Sequence, residues 1–387
     1  MKTLAFWQAK NPTQKENKFL RQRKFLEDLN HIDQIWEYLR HEYGDILAVS
    51  DLRGRTREKF SYAELATQIT KVSIALSNLG LKEKEVVTVI SENSPRWLII
   101  DQAIMRTGAI NAVRGINSPS IELEYIIEHS GSIGLVVQSK DIWNKLSNKE
   151  ILSKKLKFII NLEDQETCDV LVNWTHLISL GDQLKRAKNS LDQKTKSDIA
   201  TILYTSGTTG KPKGVPLTHA NLLNQIINLA CIADPKPGTS VLSVLPIWHS
   251  YERSAEYFFF SCGCSQFYTN PKFLKDDIKR VKPVVMATVP RLWEAIHDGF
   301  FMALQQMPRY KQKLIKSLLN NSSKYKKNFR KLRNLELYEV SFFDKLSSIR
   351  SVLVRFPINL FASKLIFSSI LKQLCGDKLK FPINGGG

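Results

Sequence analysis

The stretch ILYTSGTTGKPKGVPLTH, residues Ile202–His219, concentrates the chemistry of the chain. Its upstream flank, DIATILYT from Asp198, is apolar and β-branched and reads as a buried strand. Gly207, Gly210 and Gly214 then leave backbone N–H groups free to face an anion, as phosphate-cradling loops do. Thr205, Ser206, Thr208 and Thr209 add four hydroxyls, and Lys211 and Lys213 add positive charge. Such a set suits a polyphosphate, whose charge is spread over many oxygens. It is not a Walker A loop, because the fifth position after Gly207 is Pro212 and an extended piece, GVPLT, separates the glycines from the next helix. That helix opens at Thr218 or His219 and is expected to run to about Ile232.

Strand and helix signals alternate on both sides. Ser61 and Glu64 form a capping box, followed by Leu65, Ile69, Val72, Leu76 and Leu79 at helical spacing and by Gly80 at a C-terminal cap. EVVTVIS (Glu85–Ser91), SIGLVV (Ser132–Val137) and LKFII read as strands. Ser94-Pro95 opens a helix that Gly108 closes, and Pro119 to His129 is another, closed by Gly131. Beyond the loop, SVLSVLP (Ser240–Pro246) and VVMATVP (Val284–Pro290) are further strands. This alternation predicts an α/β fold with parallel sheet covered on both faces.

The 387 residues are 43% hydrophobic and 10% aromatic, enough for a sizeable core. The five cysteines show no zinc spacing and read as reduced thiols. The net charge of +19 implies an anionic partner. Between Arg309 and Lys380 there are 17 Lys/Arg against 4 Asp/Glu, interleaved with Leu, Ile and Phe. Three readings stand for this stretch: a solvated helical face, peripheral contact with an anionic membrane, or docking of an acidic carrier protein. Nucleic acid is not expected, because no nucleic-acid-binding motif accompanies the charge. No transmembrane helix is expected either, since Val352–Leu371, the nearest candidate, contains Arg355, Pro357 and Lys364.

The string YTSGTTGKPKGVPLTH resembles the phosphate-loop signature of adenylate-forming enzymes, a family that includes acyl- and aryl-CoA synthetases, luciferases and peptide-synthetase adenylation domains. The resemblance runs from about Asp45 to Gly387. LPIWHSYERSAEYFFF (Leu245–Phe260) and ATVPRLWE (Ala287–Glu294) resemble segments of the long-chain acyl synthetases. VRGINSP (Val113–Pro119) is similar to cyanobacterial and plastid acyl–acyl-carrier-protein synthetases. The 90 residues between Glu294 and Gly385 resemble the basic insertion of that branch.

The resemblance implies the large N-terminal domain of these enzymes, with two helix-covered sheets packed in layers. The expected segments are a basic helical piece 1–44, α/β subdomains 45–197 and 198–300, a basic helical insertion 301–378, and a strand with an adenine-binding glycine loop 379–387. It implies ATP-dependent activation of a long-chain fatty acid through an acyl-adenylate, with Mg²⁺, and transfer to coenzyme A or an acyl carrier protein. Thr205, Ser206, Gly207, Thr208, Thr209, Gly210, Lys211 and Lys213 would hold the phosphates, with Thr208 also at the metal. His249 would sit at the acyl carboxylate, with Trp248 and Tyr251 as channel or core aromatics. Gly385, Gly386 and Gly387, after the strand LKFPI, would border the adenine. The family's Y-G-x-T-E segment, a ribose-binding Asp and a C-terminal domain with its Lys do not occur within these residues. The chain is therefore expected to be the N-terminal part of a cytoplasmic enzyme, inactive alone; a non-catalytic nucleotide- or acyl-binding remnant is the alternative.

Overall fold

A computed structural model describes residues 23–54, 56–164, 171–183, 194–205, 211–231 and 233–385. The chain divides into two compact units. The first runs to Leu274 and takes in Pro283–Ala287 and Lys380–Ile383; the second holds Lys275–Lys282, Thr288–Leu379 and the residues from Asn384.

Thirteen strands are described: β1 Leu47–Asp51, β2 Lys59–Ser61, β3 Val86–Ile90, β4 Ile110–Arg114, β5 Gly134–Val137, β6 Phe158–Asn161, β7 Val172–Asn173, β8 Ile199–Thr205, β9 Lys213–Thr218, β10 Ser240–Ser243, β11 Ser265–Tyr268, β12 Val285–Thr288 and β13 Phe381–Asn384. They form two sheets, ordered β7-β6-β5-β3-β4-β8-β9 and β13-β12-β10-β11-β1-β2. Strands β3 to β8 of the first sheet pair in parallel, and β9 returns antiparallel on β8. The sheets interleave the sequence: β8 and β9 complete the sheet begun at β3, whereas β1 pairs with β11.

The local signals explain where helices begin and end. The helix Tyr62–Asn78 starts at the Ser61–Glu64 capping box, with both reciprocal hydrogen bonds made, a device that stabilises by about 1 kcal/mol. Leu65, Ile69, Val72 and Leu76 are fully buried, and Gly80 follows at φ +89°, a conformation that favours glycine. Pro95–Arg106 is capped by Ser94 and buries Trp97 through Met105 almost completely. Each such large apolar side chain contributes about 1.5–3 kcal/mol on burial.

Three elements differ from the sequence expectation. The helix after the loop stops at Asn228 and tightens into a 3₁₀ turn. Strand β10 ends at Ser243 rather than Pro246, because the following backbone is taken by Asn93. The run Phe342–Cys375 is continuously helical through Pro357, 34 residues in all, and by length and composition is apolar enough to cross a membrane. Pro357 removes one backbone donor, yet the helix does not end there; it widens into a π-helical stretch at Ala362–Phe367. Among the described residues Cys262, Cys264 and Cys375 are free thiols.

Candidate functional site

The strands of the first sheet share a carboxyl end, where ligands of parallel α/β sheets gather. Asn93 lies just beyond β3, Arg114 ends β4 and Thr205 ends β8.

Beyond Thr205, Ser206, Gly207, Thr208, Thr209 and Gly210 lie outside the described residues, and Thr208 as the expected metal contact lies outside with them. The flanks define the loop. Strand β9 folds back on β8 in antiparallel register, with Tyr204 opposite Gly214 and Thr205 opposite Lys213. Lys213 thus stands beside Thr205, the residue that enters the glycine-rich segment. Thr205 and Lys213 are exposed. Lys211 is exposed too, with its ammonium over the Tyr125 ring, 5.7 Å from the centroid.

Arg114 braces the end of this strand pair. Its Nη1 donates to the Tyr204 carbonyl at 2.8 Å, its Nε to Ser118 Oγ at 3.0 Å, and Nη2 pairs with Glu122 at 2.6 Å. The other face of its guanidinium covers the Trp248 ring at 5.0 Å, and Trp248 lies 4.1 Å from the His249 ring. A side chain at Gly115 would collide with the Trp248 indole, so glycine is required at that close approach. Arg114 thus links the entry to the glycine-rich segment with the loop that carries His249.

His249 occupies the N-cap position of the helix Ser250–Ser261. Loss of surrounding water, and then the Arg114 guanidinium, hold its imidazole below the ordinary value. Asn93 fixes the approach to it: its amide nitrogen donates to the Leu245 carbonyl at 2.8 Å, and its amide oxygen accepts from the Ile247 N–H at 2.9 Å. Next to His249 in the chain, Ser250 and Tyr251 begin the lining of a cavity of about 490 Å³, with Leu222, Ala255, Phe258 and Ile383 among its walls. Tyr251 donates to the Ile383 carbonyl at 3.1 Å.

Gly385 belongs to the second unit, and its N–H donates to the Thr288 carbonyl at 3.0 Å. Gly386 and Gly387 lie outside the described residues.

Sequence reasoning missed Arg114 and Asn93. Arg114 sits in the quoted VRGINSP, and a charge closing an otherwise apolar strand run was its signal. It missed also a buried acid pair on the His249 helix. Glu252 accepts from Ser243 Oγ at 2.5 Å, and Glu256 accepts from Tyr268 at 2.9 Å. Burial raises Glu252 to about 8 from 4.5, against the lowering effect of the Ser243 hydrogen bond; burial, then the neighbouring Glu252, raises Glu256 further. The folded chain thus keeps a proton on Glu252 that the unfolded chain releases. The stability this gives is whole below about pH 4.5 and is lost as pH rises through about 8. Glu252→Gln should gain on the wild type between about pH 5 and 8, by up to about 1.4 kcal/mol per pH unit, in thermal or denaturant unfolding. A constant difference across that range would contradict it.

The AMP-binding enzyme family matches residues 37–369. A chloroplastic long-chain-fatty-acid–[acyl-carrier-protein] ligase of Arabidopsis thaliana is 34% identical over 380 residues, 92% of this chain and 52% of that protein. Long chain acyl-CoA synthetase 2 of the same plant is 30% identical over 271 residues, 66% of this chain and 40% of the relative. The chain spans about half the length, or less, of these curated relatives. Among solved structures, a long-chain-fatty-acid-CoA ligase of Archaeoglobus fulgidus superposes with a TM-score of 0.60 at 22% identity, over 69% of this chain and 53% of that one. The last likeness shows the fold.

Proposed function

Since the chain belongs to the AMP-binding enzyme family, we propose that it carries the ATP- and acyl-binding half-reaction of a long-chain fatty acid–thiol ligase. A carboxylate attacks the α-phosphate of ATP, the bond to the β-phosphate breaks, and acyl-adenylate and pyrophosphate form. A thiolate then displaces AMP. The observation that carries this reading is the antiparallel pair β8–β9, which sets Lys213 opposite Thr205 at the entry to the glycine-rich segment, together with a largely apolar cavity that opens one residue after His249.

Each element has a role. Thr205, the loop N–H groups and Lys213 bind and orient the polyphosphate, which lowers the barrier by positioning and charge stabilisation. A neutral His249 offers a hydrogen bond to the fatty carboxylate without bringing its own charge. Arg114 and Asn93 are positioning residues for the two loops. Mg²⁺ would neutralise phosphate charge. Among the described residues no cluster of three or more His, Cys, Asp or Glu can hold a metal; the Thr208 hydroxyl would help to hold it. Gly385 to Gly387 would border the adenine. Of the two acceptors, acyl carrier protein is favoured by the longer match to the ligase named for it. The compartment is the cytoplasm or, as in the chloroplastic relatives, its plastid counterpart.

The cavity has the size of a small-molecule site and walls of Leu, Ala, Phe and Ile, with Asn221, Asn224, Gln225, Ser250, Tyr251 and Ser254 among them. Palmitate should displace a fluorescent fatty acid from the chain, and Ser254→Trp, which fills the cavity, should weaken that binding at least about tenfold. Equal binding by the variant, or equally good displacement by benzoate, would overturn the acyl assignment.

A further inference from the structure

In the second unit the helix Arg309–Leu332 packs along the helical run Phe342–Cys375. On the side of the long run the seam is polar and small, while the helix Arg309–Leu332 adds buried Leu318 and half-buried Tyr325, whose ring centroid lies 6.3 Å from that of Phe356. Arg355 Nη1 donates to Asn321 Oδ1 at 3.3 Å, Ser348 Oγ to Asn328 Oδ1 at 3.0 Å, and Asn328 Nδ2 to Ser351 Oγ at 3.1 Å. Ser322, Ser348 and Ala362 are buried. Most apolar residues of the run Phe342–Cys375 point the other way: Phe342 is 74% exposed, Phe343 80%, Leu353 69%, Val354 67%, Phe361 56% and Leu365 62%.

Paired helices in water bury their apolar stripe and expose the polar one. Along the run Phe342–Cys375 the order is reversed, as in helices whose surroundings are lipid, where small residues and hydrogen bonds form the contact. Charge indicates which lipid. The helix Arg309–Leu332 carries nine Lys/Arg and no Asp or Glu. Along the apolar run, Lys345, Arg350, Lys364 and Lys372 recur too often for comfortable burial in a bilayer core, so a position in the interface plane fits better than a crossing.

We propose that this helical pair is a membrane-docking surface for a bilayer rich in anionic phospholipid. The outward Phe, Leu and Val stripe enters the interface, and the cations of Arg309–Leu332 meet headgroup phosphates. The inference uses neither the phosphate loop nor the cavity and stands apart from the ligase reading.

The test is co-sedimentation of the full chain with phosphatidylglycerol/phosphatidylcholine vesicles and with pure phosphatidylcholine vesicles, at about 50 and about 500 mM salt. Binding should be at least about tenfold stronger to the anionic vesicles and partly survive high salt. The variant Phe342→Ser/Phe343→Ser/Leu353→Ser/Val354→Ser, altered only at exposed positions, should lose at least about tenfold at both salts. Lys313→Gln/Lys316→Gln/Lys324→Gln/Lys327→Gln should lose binding mainly at low salt. Circular dichroism checks that both variants keep their helices. Absence of vesicle binding, or wild-type binding by the serine variant, would overturn the proposal. So would retention through carbonate washing, which marks a crossing helix. A dimer that the serine variant dissociates, without vesicle binding, would assign the face to a second copy instead.

Discussion

Replacing Asp101 by alanine should lower the unfolding free energy by about 3–5 kcal/mol, the range for stripping one partner from a buried ion pair. Asp101 and Arg253 are each fully enclosed. Arg253 pairs with Asp101 through Nη2, donates to Thr201 Oγ1 at 2.7 Å and Asn111 Oδ1 at 3.1 Å, and donates from Nε to the Tyr257 hydroxyl at 2.9 Å. Asn111 Nδ2 donates to Asp101 at 2.7 Å, and the Tyr257 hydroxyl donates to Asp101 as well. This network joins the His249 helix to the helix Pro95–Arg106, to β4 and to β8, the strand that leads into the glycine-rich segment. Without Asp101 a buried guanidinium has no counter-charge. The double variant Asp101→Leu/Arg253→Met should cost less than Asp101→Ala alone, because both charges leave together. Urea unfolding reads both. A loss under about 1 kcal/mol for Asp101→Ala would mean that the network is not a structural keystone.

Lys213→Ala should weaken ATP binding about tenfold to a hundredfold, the worth of about 1.5–3 kcal/mol expected for a hydrogen bond to a charged group. The expectation rests on register: Lys213 stands opposite Thr205 at the mouth of the loop. Lys211→Ala should have a smaller effect, since the Lys211 ammonium already lies against Tyr125. AMP binding should change little in either variant, because the lost contacts belong to the outer phosphates. Titration calorimetry with ATP and AMP distinguishes the cases. Equal losses for both nucleotides would place Lys213 away from the polyphosphate.

The legible parts of the sequence were those governed by near neighbours. The Ser61–Glu64 box, the Ser94-Pro95 start and the glycines at 80, 108 and 131 act within a turn or two, and the structure shows each at its element boundary. The glycine-rich string was legible as an ordered pattern, and the extended GVPLT proved to lie in strand β9. Contacts across long separations were not. Arg114 meets Tyr204 ninety positions on, and Asn93 meets Leu245 152 positions on. No local pattern encodes such pairs. Pro357 was counted with Arg355 and Lys364 against the apolar candidate Val352–Leu371, yet the helix around it continues. The apolar stripe from Phe342 was visible in the sequence, but period alone does not say which stripe faces a neighbour.

The measurement that tests the central claim most directly is fatty-acid-dependent exchange of labelled pyrophosphate into ATP by the natural full-length protein. Exchange should require a long-chain fatty acid, should not be supported by amino or aryl acids, and should fall about tenfold to a hundredfold with Lys213→Ala. Absence of exchange with every chain length from laurate to stearate, or undiminished exchange in the Lys213 variant, would contradict the account.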